Sequence, residues 1–176
     1  MQCCSCKHAQ LEPIELEAGL LAAGCPSCKG ALLPLMNYRF WAEHEHHVKD
    51  ESTDLVEEPD GAKQCPKCQR MMTKYRIGAH TNNRIELCSH CDEVWLDAGE
   101  WGLVKHLHLE DKLSSIFTEA WQRNIRRQKE ADSLRKHYEE LIGKEEFERL
   151  LTFKTWLDQH PKRSELLVYL TARTTP

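Results

Sequence analysis

Residues 65–101 read CPKCQRMMTKYRIGAHTNNRIELCSHCDEVWLDAGEW, and this stretch decides the fold. Two Cys-x-x-Cys pairs, Cys65/Cys68 and Cys88/Cys91, stand nineteen residues apart. At that spacing two tight turns can face each other across a short β-hairpin and enclose one tetrahedral metal ion. A lone pair could be a redox couple, but that motif belongs in a strand–helix–strand setting, and the residues between these pairs carry hairpin chemistry. Residues 71–77 and 85–87 read as strands, joined through Gly78, Asn82 and Asn83, which tolerate the positive φ of a turn. Pro66 pre-sets φ inside the first turn. The competing reading is a set of surface thiols or disulfides.

Residues 1–30 repeat the plan. Cys3/Cys6 and Cys25/Cys28 are again two Cys-x-x-Cys pairs, here eighteen residues apart, with Pro26 inside a turn as Pro66 is in the later copy. Ile14, Glu15, Leu16 and Glu17 alternate apolar and charged as a half-buried strand does, and Ala18-Gly19 supplies a turn before Leu20-Leu21. Two structural Zn2+ ions are therefore expected, one per four-cysteine set, although iron accepts the same four thiolates. In the first set Cys4 and His8 remain alternative ligands.

The run from Cys65 to Trp101 resembles the transcription factor IIB-type zinc-ribbon family, whose pattern closes on a Trp-Leu-Asp-x-Gly-Glu tail; here that tail is Trp95-Leu96-Asp97-Ala98-Gly99-Glu100. Asp92-Glu93 stand where the family usually has glycines. The resemblance implies a zinc-binding fold without an assigned biochemical activity. It covers residues 65–101 directly and residues 1–30 only through the repeat.

The rest of the chain divides around these motifs. Residues 1–41 are expected to form an N-terminal zinc ribbon, 42–61 an acidic, His-containing linker, 62–101 the second ribbon and 102–176 a helical region. After Cys28, residues 29–41 lack the family tail and read as strand and loop. The linker holds His44, His46 and His47, which read as a solvated polar segment rather than a metal or pH-sensing cluster, because no further ligand can be placed beside them. Asp97 and Glu100 are spaced as a helix N-cap and its third-position partner, so a capping box accounts for both carboxylates.

From Asp97 the apolar period changes to three and four residues. Trp101, Val104, Leu107, Leu113, Ile116, Phe117, Ala120, Trp121 and Ile125 argue for one long or two abutting amphipathic helices. The pattern resumes at Leu134, Tyr138 and Leu141 and stops at Gly143. A further helix over 145–159 ends before Pro161, and a short last helix should hold Leu166, Leu167, Tyr169 and Leu170. Trp121, Trp156 and Tyr169 are expected as core aromatics between helices.

The overall expectation is thus α+β: two small metal-bound β ribbons and an α-helical C-terminal region. The chain of 176 residues is 30% charged and 40% hydrophobic, with no apolar run long enough to span a bilayer. Residues 1–10 lack a secretory pattern, and nine cysteines in paired turns point to metal in a reducing compartment, so a cytoplasmic location is expected. Residues 1–60 carry four basic and eleven acidic side chains, while Arg123, Arg126, Arg127, Lys129, Arg135 and Lys136 form a basic stretch with Glu130 and Asp132 as its local counter-charges. That stretch is the candidate phosphate contact, opposed by a formal charge of −4 over the chain. The leading function is an adaptor whose ribbons and helical module meet a protein partner. The alternative is a nucleic-acid or transcription-machinery binder. An enzyme ranks last, because closed four-cysteine sites leave no position for water, and no small-molecule substrate is expected.

Overall fold

The computed structural model describes residues 1–44 and 61–172. His46, His47 and the acidic run of the linker lie outside them. The architecture is α+β. Six strands, β1 (Glu12–Glu17), β2 (Leu20–Gly24), β3 (Ala31–Pro34), β4 (Thr73–Arg76), β5 (Arg84–Cys88) and β6 (Glu93–Leu96), form one sheet in the order β1-β2-β3-β6-β5-β4. Every neighbouring pair is antiparallel. Each cysteine-bearing segment supplies three strands, and the pairing of β3 with β6 merges them into a continuous sheet.

The sequence motifs place these strands close to expectation, with β6 as the one addition. The segment after each last Cys-x-x-Cys turn is itself a strand, so the Trp95-Leu96 part of the tail lies in β6. Residues 29–41 depart from the strand-and-loop expectation: β3 is followed at once by helix α1 (Leu35–Ala42). Pro34 precedes this helix with extended backbone, as a residue that donates no N–H can, and Leu35, Tyr38 and Trp41 at three-residue steps bury one face.

Strand alternation sorts the core onto the two faces of the sheet. Leu33, Val94, Leu96, Ile85 and Leu20 point to one face, where they pack with Tyr38 and Trp41 and with Trp101, Leu103, Val104, Leu113 and Ile116. Those last residues come from helices α2 (Glu100–His106) and α3 (Leu113–Ile116). Leu32 and Trp95, directly paired across β3 and β6, point to the other face and cluster with Cys3, Cys25, Cys65, Met72 and Cys88. Of the one long or two abutting helices expected after Asp97, the chain forms separate ones: His108 adopts φ 54° and a short 3-10 turn intervenes before α3. Three buried or part-buried polar contacts on the helix side tie distant segments together. Trp41 donates to the Ala18 carbonyl at 3.1 Å, Tyr38 Oη accepts from the Leu113 N–H at 2.9 Å, and Lys105 meets Glu17 at 2.6 Å.

Helices α4 (Glu119–Ile142), α5 (Lys144–Gln159) and α6 (Arg163–Thr171) complete the chain. Gly143, at φ 85°, separates α4 from α5 as its position predicted. The chain divides into two compact units, 1–128 and 129–176, with the division inside α4. In the first unit Trp121 is half-buried, with its indole N–H on the Ile77 carbonyl at 3.2 Å. Among the described residues of the second, the buried apolar side chains are Phe147 and Leu157, whereas Trp156 is 50% and Tyr169 70% exposed. These two aromatics are not core residues. Trp156 lies half a turn around α5 from Phe147, and α6 buries none of its side chains.

Trp95 is the fully buried centre of the sheet's metal face, and a Cβ on Gly30 would come within 2.5 Å of its Cζ2 and 3.2 Å of the Leu96 carbonyl. Gly30→Ala should therefore destabilise the chain by about 1–3 kcal/mol, read as a lower urea midpoint with an unchanged slope.

Candidate metal centres

The four Cys-x-x-Cys turns share one backbone solution. The residue after the second cysteine of each, Lys7, Lys29, Gln69 and Asp92, has φ between 57° and 61°. This left-handed step folds the chain back so that the Lys29, Gln69 and Asp92 amides donate to the Cys25, Cys65 and Cys88 carbonyls at 2.9–3.0 Å. Non-glycine residues carry a cost of roughly 1–2 kcal/mol there. Asp92, where the resembled family has glycine, keeps the same turn and is further held by Arg39, whose guanidinium meets its two carboxylate oxygens at 2.6 and 3.2 Å.

These turns bring the sulfurs together in two sets: Cys3, Cys6, Cys25 and Cys28, and Cys65, Cys68, Cys88 and Cys91. Within each set all four Sγ atoms lie within 4.8 Å of one another. Cys3–Cys28 is 3.5 Å, and Cys6–Cys25 and Cys68–Cys88 are 3.6 Å. A tetrahedral thiolate site with metal–sulfur bonds of about 2.3 Å spaces its sulfurs at about 3.8 Å, so both sets fit a metal ion. Disulfide bonding would require about 2.05 Å, and all nine cysteines are free thiols. Backbone amides add to the fit. The Ser5 and Cys28 N–H groups point at Cys3 and Cys25 Sγ at 3.4 Å, and those of His8 and Ala9 draw the Cys6 thiol down to about 6. The Arg70 amide draws Cys68 to about 7. Burial pushes the Cys65 thiol up, a cost that a bound cation would offset.

The alternative ligands of the first set fall elsewhere. His8 places Nδ1 at 2.7 Å from the Cys6 carbonyl and Nε2 at 3.1 Å from Ser27 Oγ, which occupies both ring nitrogens. Cys4 lies outside the four-sulfur group and lines a cleft of about 540 Å3 with Gln2, Lys7, Gln64 and Gln69; burial pushes its thiol up to about 12. That shift favours its thiol form. His44 packs its ring on Phe40 at 4.5 Å and bonds the Phe40 carbonyl at 2.6 Å.

A feature that the sequence did not reveal lies on the same face of the sheet. Lys63 is buried with Nζ at 2.6 Å from Glu86 and 2.7 Å from Asp97. Burial opposes its charge, but the hydrogen bonds to Asp97 and Glu86 outweigh that and raise its pKa. Asp97 also accepts the Trp95 indole N–H at 2.8 Å. The expected capping box is thus only half present: Glu100 Oε2 accepts the Asp97 amide at 2.8 Å, while the Asp97 carboxylate is engaged by Lys63 and Trp95 rather than by the helix. Gly99, at φ 83°, occupies the N-cap. A signal existed in the residue types, since Glu86 alternates with Ile85 and Leu87 in a strand buried on both faces, but its partner Lys63 is 23 residues away.

The basic stretch is less concentrated than its sequence suggests. At 100° per residue, Arg123, Arg126 and Arg127 share one side of α4, whereas Lys129 and Lys136 lie on another and Arg135 on a third. Arg123, Arg135 and Lys136 pair with Glu119, Glu139 and Glu140 one turn on or back, at 2.7, 3.0 and 3.9 Å. No helix among the described residues is long and apolar enough to cross a membrane. No protein-family model matches the chain, nor does any curated protein or solved structure.

Glu100 is 1% exposed, and its Oε1 has no partner among the described residues. Burial raises its carboxyl from an ordinary 4.5 to about 8, with Asp97 and Glu86 adding to the rise. Between those values the folded chain binds the extra proton, so this group's contribution falls as pH rises through that window and is fully lost above it. Glu100→Gln should therefore flatten the decline and leave the variant more stable than the parent above pH 8, by about 1–3 kcal/mol in chemical denaturation.

Proposed function

We propose that this protein is a zinc-binding adaptor: two zinc ribbons joined edge to edge form a rigid platform, and the helices that follow carry a surface for a protein partner. The observation that carries this reading is the pairing of two closed four-thiolate sets with a C-terminal unit that leaves its large apolar side chains outside. Four cysteines complete a tetrahedron around Zn2+ and leave no coordination position for a substrate or water, which favours a structural over a catalytic ion. Val168, Tyr169 and Leu170 of α6 are each more than half exposed, an apolar patch of the kind that marks interaction sites. A cytoplasmic location accords with free thiols.

Zinc should be present at two ions per chain. Cys88→Ser should lower that to one and remove hairpin signals from residues 73–88, and a variant that retains both ions would contradict the assignment. On the adaptor surface, Val168→Asp with Tyr169→Asp should abolish capture of a protein partner by the full-length chain while helix content is kept; unaltered capture would contradict the adaptor reading.

A second reading has one observation in its favour. Arg126, Lys74, Tyr75, Phe117 and Gln122 line a groove of about 370 Å3, with Tyr75 and Phe117 edge to face at 5.3 Å. Cations beside aromatic rings suit single-stranded nucleic acid. If this groove binds it, affinity for labelled DNA or RNA falls log-linearly with salt, and the slope shrinks by about 2 in the Arg126→Ala/Arg127→Ala double variant. Absence of binding at low salt discards this reading.

A further inference from the structure

The second unit leaves unusually little of its apolar surface inside. Residues 129–172 hold the end of α4 and all of α5 and α6, with two buried apolar side chains, Phe147 and Leu157. Units of this size generally need a staple or an association to remain folded. Its uncovered apolar side chains are not scattered. Ala131, Leu134, Tyr138 and Leu141 follow steps of three, four and three along α4, the a/d pattern of a coiled-coil seam, and all four are exposed. At 100° per residue these four and Ile142 fall within a stripe about 100° wide. The stripe continues onto α5, because Ile142, Leu150 and Phe153 line one groove of about 530 Å3.

Charge and area indicate what fits this face. With Ala131 and Tyr138 at a and Leu134 and Leu141 at d, Glu130 takes a g position and Arg135 the following e position. In a parallel pair of identical helices, g of one strand faces the next e of the other, so Glu130 meets Arg135 twice by symmetry. Arg135 already bonds Glu139 at 3.0 Å and lies 5.9 Å from the Phe147 ring centre, which holds its stem beside the seam with donors to spare. Leu134, Tyr138, Leu141, Ile142, Leu150 and Phe153 are between 40% and 64% exposed. Together they present roughly 600 Å2, most of the ~800 Å2 that a stable interface takes from each partner.

We propose that a second copy of this chain occupies the face, packed parallel along α4 through Leu134, Tyr138 and Leu141 and extended by Ile142, Leu150 and Phe153. The inference rests on the reading of the helical unit as an interaction module and names the partner of this particular face; α6 stays available for a different protein.

Sedimentation of the purified full-length, zinc-loaded protein over a range of micromolar concentrations tests it. The parent chain should sediment as a dimer, and Leu134→Asp with Leu141→Asp should raise the dimer Kd by about 100-fold or more without loss of helix or zinc, since both side chains are exposed within one chain. Glu130→Arg and Arg135→Glu should each weaken self-association when alone and recover it as a heterodimer when mixed. This charge-swapped pair decides the matter even if the aspartate variants lose helix. A parent chain that is monomeric throughout, or a dimer indifferent to both sets of substitutions, overturns the proposal. Either result leaves the adaptor reading to its own test on α6, because the two faces carry separate variants.

Discussion

Eight sulfur atoms held in two sets constrain everything on one side of the sheet. That face contains few apolar groups: beyond the cysteines its buried members are Leu32, Met72 and Trp95. The sulfurs stand 3.5–3.6 Å apart in each set, several of the thiols resist ionisation because they are buried, and a cation at the centre of a set would offset that cost by gathering four thiolates. The opposite face needs no such help. There α1, α2 and α3 cover Leu33, Ile85, Val94 and Leu96 in an ordinary apolar core.

The pairing of β3 with β6 turns two small motifs into one body. Leu32 lies opposite Trp95 on the metal side, and Leu33 opposite Val94 on the helix side, so a single register joins both metal sets and both halves of the core. Trp95 also lies opposite Glu86 on its other flank, and its indole N–H fixes Asp97, which with Glu86 secures Lys63. A buried charge with several partners specifies this register more than it stabilises it, because a one-residue slip would strand Glu86 among the helix-side apolar residues. The function we propose builds on this joint: the two ribbons would act as one platform, with the proposed interaction surfaces on the helices that follow.

What the sequence disclosed, and what it concealed, follows from the range of each interaction. The cysteine sets were legible because a tight turn and its ligands are encoded within four residues, and strands β1, β2, β4 and β5 because turns and alternation are local. The β3–β6 joint was not, since its partners are about sixty residues apart and neither strand alternates in a way that names the other. The capping box was legible only by half, because Asp97 has a distant competitor in Lys63. Trp156 and Tyr169 show the same limit from the other side: helical periodicity identifies a face, but not what covers it.

X-ray absorption at the zinc edge of the purified protein tests the centre of this account most directly. The account predicts two zinc ions per chain, each surrounded by four sulfurs at about 2.3 Å with no nitrogen or oxygen neighbour. A mixed shell that includes nitrogen or water, or folded protein that holds no zinc at all, would contradict it.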